Sequence, residues 1–421
     1  MRTRTLLFLI ASAIACLLLA PTAAWTKDKK PPVKSAEKPE DVKKGKTALL
    51  KAPKGMVYFL KVPKKYDPKV GAPLLVFMHG SNMNGMQYLP MFGAKKWYDH
   101  AIICCPNGEG GNDAFGANNF TQQAAPLVAD VTEHVQKAFN VTHTYIGGHS
   151  QGGFVTYSVI MHFPHLYDGA VPMAGDCWMQ NEPNLWENDE EMLAKQMRIP
   201  IAVIHGKADP VVSFSQGQHA FDVFHTMGYP KLRLFAPERL GHQFGLSPVG
   251  DALIWLDAMN GIGSKKGLKA AGKWAKAKEW GWVHAAGQAY ATSEAATGSE
   301  KAKAKKLIAS AEAAAAKAVP KMQKLLEEET DPRQWLPAFW AFRHQYGRTE
   351  AAKPLIEDYV AKRGEQRQTG ASLWRQAFGN SRQGNKEKCY ELLEKLLVEA
   401  PYSFDAYYAV SWLDARDDPD K

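Results

Sequence analysis

Between residues 56 and 260, short apolar runs alternate with longer segments whose apolar residues recur every three or four positions. The short runs predict buried strands and the longer segments predict helices with one apolar face. This alternation predicts a mostly parallel sheet with helices on both faces. The predicted strands are 57–62, 73–78, 101–105, 141–146, 169–174, 199–204 and 231–235. The predicted helices are 126–139, 151–162, 215–227 and 249–259.

The last third of the chain has a different pattern, because alanine, lysine and glutamate dominate from Lys265 onward. Helical periodicity recurs there between turn signals, which predicts an all-α domain over residues 263–421 that follows an α/β domain over residues 56–262. The predicted helices are 302–318, 320–329, 335–346, 351–363 and 387–399. Two stretches of this region are Trp340…Tyr346-Gly347-Arg348 and Tyr390…Leu397 with Ala400-Pro401 after it. They resemble tetratricopeptide-type helical hairpins, which implies binding of a protein partner. The alternative is a helical appendage that only packs on the α/β domain.

The beginning of the chain has the pattern of a secretory signal peptide over residues 1–24. Arg2 and Arg4 precede an apolar run over residues 6–20, and small residues follow it. The run is shorter than the roughly 20 residues of a membrane-spanning helix, so cleavage is favoured over a retained anchor. We therefore predict a secreted or periplasmic protein with no transmembrane segment after cleavage. Residues 25–55 are polar and lysine-rich and predict a disordered linker.

The composition is that of a globular chain, with 45% hydrophobic residues in 421 and a net charge of +9. Removal of Arg2 and Arg4 with the signal peptide lowers the net charge from +9 to +7. This charge predicts a solvated lysine-rich surface, and no nucleic-acid motif accompanies it. The remaining cysteines match no metal-site spacing, so no metal is predicted, and one disulfide is left open. They are Cys104, Cys105, Cys177 and Cys389.

The clearest candidate for chemistry is the stretch 144–154, which reads T-Y-I-G-G-H-S-Q-G-G-F. A strand pattern ends there, a serine stands between Gly148 and Gly152, and a helix pattern begins directly after it. This is G-x-S-x-G in a strand–turn–helix context, which predicts that Ser150 is a nucleophile exposed at a sharp turn. Glycines two residues on either side leave room for that turn, since a Cβ atom at either position would collide.

Two other polar residues follow predicted strands, namely Asp209 after strand 199–204 and His242 after strand 231–235. His242 is the candidate general base for Ser150, because imidazole exchanges a proton near neutral pH. Asp209 would fix the tautomer of His242 and stabilise the imidazolium. The alternatives are a turn aspartate before Pro210 and an ordinary loop histidine, and Asp176 is a second candidate for the acid.

The order Ser…Asp…His and four short motifs resemble those of α/β-hydrolases of the esterase kind. The motifs are F-M-H-G-S at 77–81, G-H-S-Q-G-G at 148–153, H-G-K-A-D-P-V-V at 205–212 and G-H-Q-F at 241–244. The resemblance is to the dienelactone hydrolase, phospholipase/carboxylesterase and polyhydroxybutyrate-depolymerase/feruloyl-esterase groups, and it covers residues 56–260.

This resemblance implies an oxyanion hole built from the main-chain N–H groups of Gln151 and Ser81, with Asn82 as a further candidate. Trp178 and His149 are predicted to line the substrate pocket. The alternatives are that Trp178 only packs a small subdomain and that His149 packs beside the site.

The sequence thus predicts an exported serine hydrolase that cleaves carboxylic esters of small molecules or polymers through an acyl-enzyme, with no cofactor. A prolyl-oligopeptidase-like peptidase and an acyltransferase are alternatives within the same fold. A binding protein on an inactive hydrolase scaffold is the alternative outside enzymes.

Overall fold

The computed structural model describes residues 33–92, 99–109, 115–121, 123–177 and 190–417. The chain divides into two compact units. The first comprises Met1–Phe221 and Arg233–Leu256, and the second comprises Asp222–Leu232 and Asp257–Lys421. The predicted signal peptide lies outside the described residues. Among the helices of the described ranges, none combines the length and the apolar character needed to cross a bilayer.

The first unit is built on a nine-stranded sheet with the order β1-β2-β3-β5-β4-β6-β7-β8-β9. Strands β4 to β8 pair in parallel, whereas β3 is antiparallel to both β2 and β5. The strands are β1 Lys34–Ser35, β2 Thr47–Lys51, β3 Val57–Lys61, β4 Ala72–Met78, β5 Ile102–Pro106, β6 Val141–His149, β7 Gly169–Met173, β8 Ile201–Ile204 and β9 Leu232–Phe235. The predicted α/β architecture with a mostly parallel sheet is confirmed.

The middle of this sheet is fully buried, as the continuous apolar runs predict. Every residue of β4, β5, β7 and β8 is buried. The helices of this part of the chain are α1 Gly85–Phe92, α2 Ala124–Ala138, α3 Gln151–His162, α4 Glu190–Gln196, α5 Phe214–Thr226 and α6 Leu246–Met259. Helix α3 buries nine of its twelve residues, because it follows the central strand β6 directly.

The disordered linker predicted for residues 25–55 is wrong over its described part. Residues 47–51 form β2, which pairs antiparallel with β3 from Thr47↔Lys61 to Lys51↔Val57. β2 reads T-A-L-L-K, and only Ala48 and Leu50 are buried, so its apolar run is short and follows a lysine-rich stretch. The main-chain ladder with β3 holds it in the sheet. Residues 25–32 lie outside the described residues.

The second unit is all-α, which confirms the predicted helical region. Its helices are α7 Ser264–Lys276, α8 Trp280–Thr292, α9 Gly298–Glu328, α10 Pro332–Tyr346, α11 Lys353–Arg382, α12 Lys386–Glu399 and α13 Asp405–Asp417. Its core includes fully buried Leu336, Phe339, Leu393 and Leu396. Binding of a protein partner by this unit stays a prediction.

Residues 222–232 group with the helical unit, whereas the sequence placed the boundary between residues 262 and 263. Within that unit, the Trp282 indole N–H donates to the Leu232 carbonyl at 2.9 Å. The guanidinium of Arg343 also lies against Gly228, where any Cβ atom would collide with it. These contacts join residues distant in sequence, so the local pattern gives no sign of them.

Candidate active site

Ser150 lies at the sharp turn between β6 and α3, with φ 56° and ψ −119°. A non-glycine residue in this part of backbone space is strained, and such strain is typical of functional turns. A Cβ atom on Gly148 would collide with the main chain of Gly152. One on Gly152 would lie 2.6 Å from the Met78 carbonyl oxygen. The two glycines therefore permit the turn that exposes the Ser150 hydroxyl.

The structure brings Ser150, His242 and Asp209 into one chain of hydrogen bonds. The Ser150 hydroxyl lies 3.0 Å from Nε2 of His242. On the other side of the ring, Nδ1 of His242 lies 2.8 Å from Oδ2 of Asp209. Because an ionised carboxylate only accepts hydrogen bonds, Nδ1 carries the proton and Nε2 offers its lone pair to the serine. This is the geometry required of a nucleophile and its general base.

Asp209 is held as a buried carboxylate. Its side chain is 0% exposed. Oδ1 accepts hydrogen bonds from the main-chain N–H groups of Val211 and Val212, both at 2.9 Å. Burial alone would raise the pKa of Asp209, but hydrogen bonds from His242, Val211 and Val212 outweigh it, so its pKa lies below the ordinary value. The carboxylate is therefore ionised at neutral pH and able to stabilise an imidazolium.

A second histidine, His205, supports the loop that carries Asp209. It is fully buried, its Nε2–H donates to the Val212 carbonyl at 2.9 Å, and the same atom lies 3.7 Å from Oδ2 of Asp209. Burial lowers the pKa of His205, so the ring is neutral. A Cβ atom on Gly217 of α5 would collide with this ring. The sequence contains His205 in the H-G-K-A-D-P-V-V motif, but that motif alone gave it no role.

Of the two predicted oxyanion-hole residues, Gln151 directly follows the nucleophile, and Ser81 follows Gly80, on which a Cβ atom would lie 3.4 Å from Cβ of Ser150. Within the described part of the chain, the main-chain N–H of neither residue donates a hydrogen bond. Asn82 differs, because its N–H donates to Oδ1 of Asn119 at 3.0 Å. The Gln151 side chain is fixed by two hydrogen bonds with the main chain of Phe120. The N–H of Asn82 is thus occupied, and those of Ser81 and Gln151 stay the predicted donors to an oxyanion.

His149 is buried, and its Nδ1 shares a 2.7 Å hydrogen bond with the Tyr88 hydroxyl. Its ring centroid is 5.0 Å from that of His242. Burial, together with the nearby His242, lowers the pKa of His149 to about 4, so the ring is neutral at neutral pH. His149 therefore packs as a neutral ring beside the ring of His242. Trp178, the other predicted pocket residue, lies outside the described residues.

The sequence offered Asp176 as a second candidate for the acid that pairs with His242, but Asp176 pairs with another histidine. Its Oδ1 lies 2.9 Å from Nδ1 of His219 on α5, so it pairs with His219 and not with His242. The sequence gave His219 no role, because it lies inside a helix 43 positions from Asp176.

Comparison with known proteins shows what this region is similar to. The phospholipase/carboxylesterase family matches residues 74–246, which contain all three residues of the hydrogen-bonded chain. This stretch is therefore similar to phospholipase/carboxylesterase domains. The esterase resemblance read from the sequence is thereby confirmed, and the domain is a carboxylic ester hydrolase.

Curated proteins similar to this region include acyl-protein thioesterase 1 of Candida albicans. It is 23% identical over 167 residues, which are 39% of this chain and 69% of that protein. Acyl-protein thioesterase 1 of Debaryomyces hansenii is 24% identical over 112 residues, and the match spans 27% of this chain and less than half, 46%, of that protein.

Solved structures similar to the esterase domain include a thermostable esterase with 23% identity and a TM-score of 0.36, covering 50% of this chain and 61% of that chain. Acyl-protein thioesterase 2 of Zea mays has 18% identity and a TM-score of 0.40, covering 48% of this chain and 97% of that chain.

Proposed function

We propose that this chain is an exported serine esterase that cleaves carboxylic esters through an acyl-enzyme formed on Ser150. The observation that carries the proposal is the pair of hydrogen bonds on His242, 3.0 Å to the Ser150 hydroxyl and 2.8 Å to Asp209. The strained turn at Ser150 and the burial of Asp209 support it, because both fix the reacting groups before substrate binds.

Each proposed step is assigned to a group of the site. His242 Nε2 takes the hydroxyl proton of Ser150 as the serine oxygen attacks the ester carbonyl carbon. The N–H groups of Ser81 and Gln151 stabilise the negative oxygen of the tetrahedral intermediate. The imidazolium then returns the proton to the departing alcohol, and the acyl group stays on Ser150. A water molecule, activated by the same ring, attacks the acyl-enzyme and releases the acid.

Export is proposed from residues 1–24, where two arginines, an apolar run and small residues follow one another. Expression of the full chain in a bacterium with two membranes, followed by cell fractionation, would test it. We expect the mature protein in the periplasm or medium, with an N-terminus near residue 25 by mass spectrometry. Uncleaved protein that stays with the cytoplasm would contradict the proposal.

Thioester hydrolysis is a second candidate activity, and the curated relatives favour it because both are acyl-protein thioesterases. The same nucleophile, base and oxyanion hole serve both reactions, since both pass through a tetrahedral oxyanion. A thiolate leaves more readily than an alkoxide because a thiol has a pKa near 8.5. A thioester therefore depends less on proton return from His242.

The test of the nucleophile is labelling with a fluorophosphonate probe, which reacts with an activated serine. We expect one label on each chain, lost in Ser150→Ala and retained in Ser215→Ala, a matched loss of an exposed hydroxyl on α5. Circular dichroism of both variants would show that the fold is retained. An unlabelled wild-type chain that is correctly folded would refute the proposed nucleophile and favour a binding protein on the hydrolase scaffold.

Substrate class is tested with matched pairs of oxyesters and thioesters that carry the same acyl group, over a series of acyl lengths. Peptidyl amides and acceptor alcohols belong in the same series, because they report on the peptidase and acyltransferase alternatives. We expect ester cleavage that depends on Ser150. A kcat/KM for amides above that for esters would replace the esterase by the peptidase.

A further inference from the structure

Asp176, Cys177 and His219 form a second cluster of chemical groups in the first unit. Asp176 and Cys177 follow β7, and His219 lies on α5. One ligand-type atom from each residue lies within 4.8 Å of the other two. The closest pair is Nδ1 of His219 and Oδ1 of Asp176, at 2.9 Å. None of these residues has a role in the proposed ester cleavage.

The three groups have the chemistry of a binding site for a borderline-soft divalent cation. Zn²⁺ prefers thiolate, imidazole and carboxylate ligands, and sites with three protein ligands leave a fourth position for water. Binding of the cation would displace the proton of the Cys177 thiol, whose pKa is raised by burial. The resulting thiolate and the Asp176 carboxylate would together carry two negative charges, which neutralise a divalent cation. The thiol sulfur argues against Mg²⁺ and Ca²⁺, which require oxygen ligands.

We propose that Asp176, Cys177 and His219 bind Zn²⁺ or a cation of the same class, with one coordination position open to water. This site is separate from the Ser150–His242–Asp209 group and does not depend on the esterase proposal. Both sites belong to loops or helices that follow strands of the sheet, but they use different histidines and different aspartates.

The spacing of the His219–Asp176 pair is close to that of two ligands in a zinc site. In a tetrahedral zinc site with bonds of about 2.1 Å, neighbouring nitrogen and oxygen ligands are about 3.4 Å apart. The His219–Asp176 hydrogen bond of 2.9 Å would have to lengthen by about half an ångström as the cation replaces its proton. Side-chain rotation can supply this movement, because the His219 side chain is 30% exposed. Cys177 is buried at 2% exposure, which shields the sulfur from bulk oxidants.

The sequence could not reveal this cluster. Zinc sites are read from cysteines and histidines a few positions apart, and here the carboxylate and the imidazole are 43 positions apart. Only the pairing of β7 and β8 within the sheet, followed by α5, brings the loop and the helix together.

The test is titration of the purified full chain with Co²⁺ in the presence of a phosphine reductant. Cobalt bound to a thiolate gives an intense sulfur-to-metal charge-transfer absorption, which cobalt on surface histidines lacks. We expect this absorption to saturate at one Co²⁺ per chain and to disappear on addition of Zn²⁺. Its absence at saturating Co²⁺ would overturn the proposal.

Variants decide whether these three residues are the ligands. Cys177→Ser should abolish the charge-transfer absorption. His219→Gln should weaken Zn²⁺ binding by at least roughly 10- to 100-fold, because loss of a residue that only hydrogen-bonds to a metal ligand already has an effect of that size. Cys389→Ser removes another buried cysteine, in the helical unit, and should leave binding unchanged. Equal Zn²⁺ affinity in wild type and His219→Gln would refute the site. The His219→Gln variant keeps the buried Cys177, so it tests the site even if Cys177→Ser fails to fold.

Discussion

Asp209–His242 and Asp176–His219 are two aspartate–histidine pairs with almost the same hydrogen bond, 2.8 and 2.9 Å from Nδ1 to the carboxylate. Their surroundings differ. The Asp209 side chain is fully buried, whereas the Asp176 side chain is 12% exposed. Oδ1 of Asp209 also accepts hydrogen bonds from two main-chain N–H groups. Nε2 of His242 lies within hydrogen-bond distance of the Ser150 hydroxyl. The Asp176–His219 pair instead lies near the thiol of Cys177.

The difference teaches that an aspartate–histidine hydrogen bond does not by itself make a catalytic site. The pair needs a nucleophile held in a strained turn, and it needs a carboxylate fixed so firmly that the ring cannot reorient. The first pair adjoins a serine in a strained turn and has a carboxylate held by main-chain hydrogen bonds, whereas the second pair adjoins a thiol. Four predictions test this distinction.

The largest expected difference is between His242→Ala and His219→Ala. Loss of the general base should lower kcat for ester hydrolysis by about 10⁴- to 10⁶-fold. Loss of His219 should change kcat by less than about tenfold, because His219 does not touch the proposed reacting atoms. Steady-state assays in the presence of a chelator measure both. Equal losses in the two variants would show that the pairs cannot be separated in this way.

Asp209→Asn and Asp176→Asn form the second comparison. The amide introduced by Asp209→Asn would no longer stabilise the imidazolium and would favour the wrong tautomer, so kcat should fall by about 10⁴-fold with little change in KM. Asp176→Asn should leave kcat within about tenfold of wild type when a chelator is present. A large fall in kcat for Asp176→Asn would mean that Asp176 serves as the acid after all.

The turn that presents Ser150 is tested by Gly152→Ala. The new Cβ atom would lie 2.6 and 2.8 Å from the carbonyl oxygens of Met78 and His79, both main-chain atoms that cannot move aside cheaply. We expect destabilisation by about 1–3 kcal/mol, together with reduced labelling of Ser150.

Gly272→Ala is the matched control for this change, because a Cβ atom on Gly272 of α7 would meet nothing within 4 Å. It should stabilise the helix by up to about 1 kcal/mol. Urea unfolding measures both variants, and a neutral Gly152→Ala would contradict the close approach at the turn.

Much of the fold could be predicted because its strands are buried on both faces. The sequence predicted 73–78 for β4, which the structure gives as Ala72–Met78. In contrast β2 was missed, since its apolar run is only three residues long in a lysine-rich stretch, and the strand depends on pairing with β3. Helix α9 was predicted as two segments separated at Pro320, yet it continues through this residue. Its buried residues Ala315 and Met322 lie on both sides of Pro320, so tertiary packing offsets the local cost of proline.

The candidate site divides in the same way. Ser150, Asp209 and His242 could be proposed because each follows a predicted strand, and the carboxyl ends of parallel strands meet at one edge of the sheet. The pairing of Asp176 with His219 and the support of Asp209 by His205 could not be read, since both depend on how α5 packs. The sequence records which residues end a strand, but it does not record which helix residue faces them.

The smallest expected effect concerns the charge on Asp209 itself. The pKa of this group lies below its ordinary 3.8 in the folded protein, because hydrogen bonds to the carboxylate outweigh the cost of burial. A carboxylate with a lowered pKa contributes stability that is fully present above the unfolded-state pKa. That stability is lost as the pH falls through the lower folded-state value. An asparagine at this position cannot titrate, so the variant lacks this dependence.

We therefore expect the difference in free energy of unfolding between wild type and Asp209→Asn to be larger at about pH 6 than at about pH 3. Urea unfolding at a series of pH values measures it, with Asp251→Asn on an exposed position of α6 as the control. The buried histidines titrate in both proteins, so their contribution largely cancels from the difference. A difference that grows as the pH falls would mean that Asp209 is protonated more readily in the folded chain, and the ionised carboxylate assigned to Asp209 would have to be abandoned.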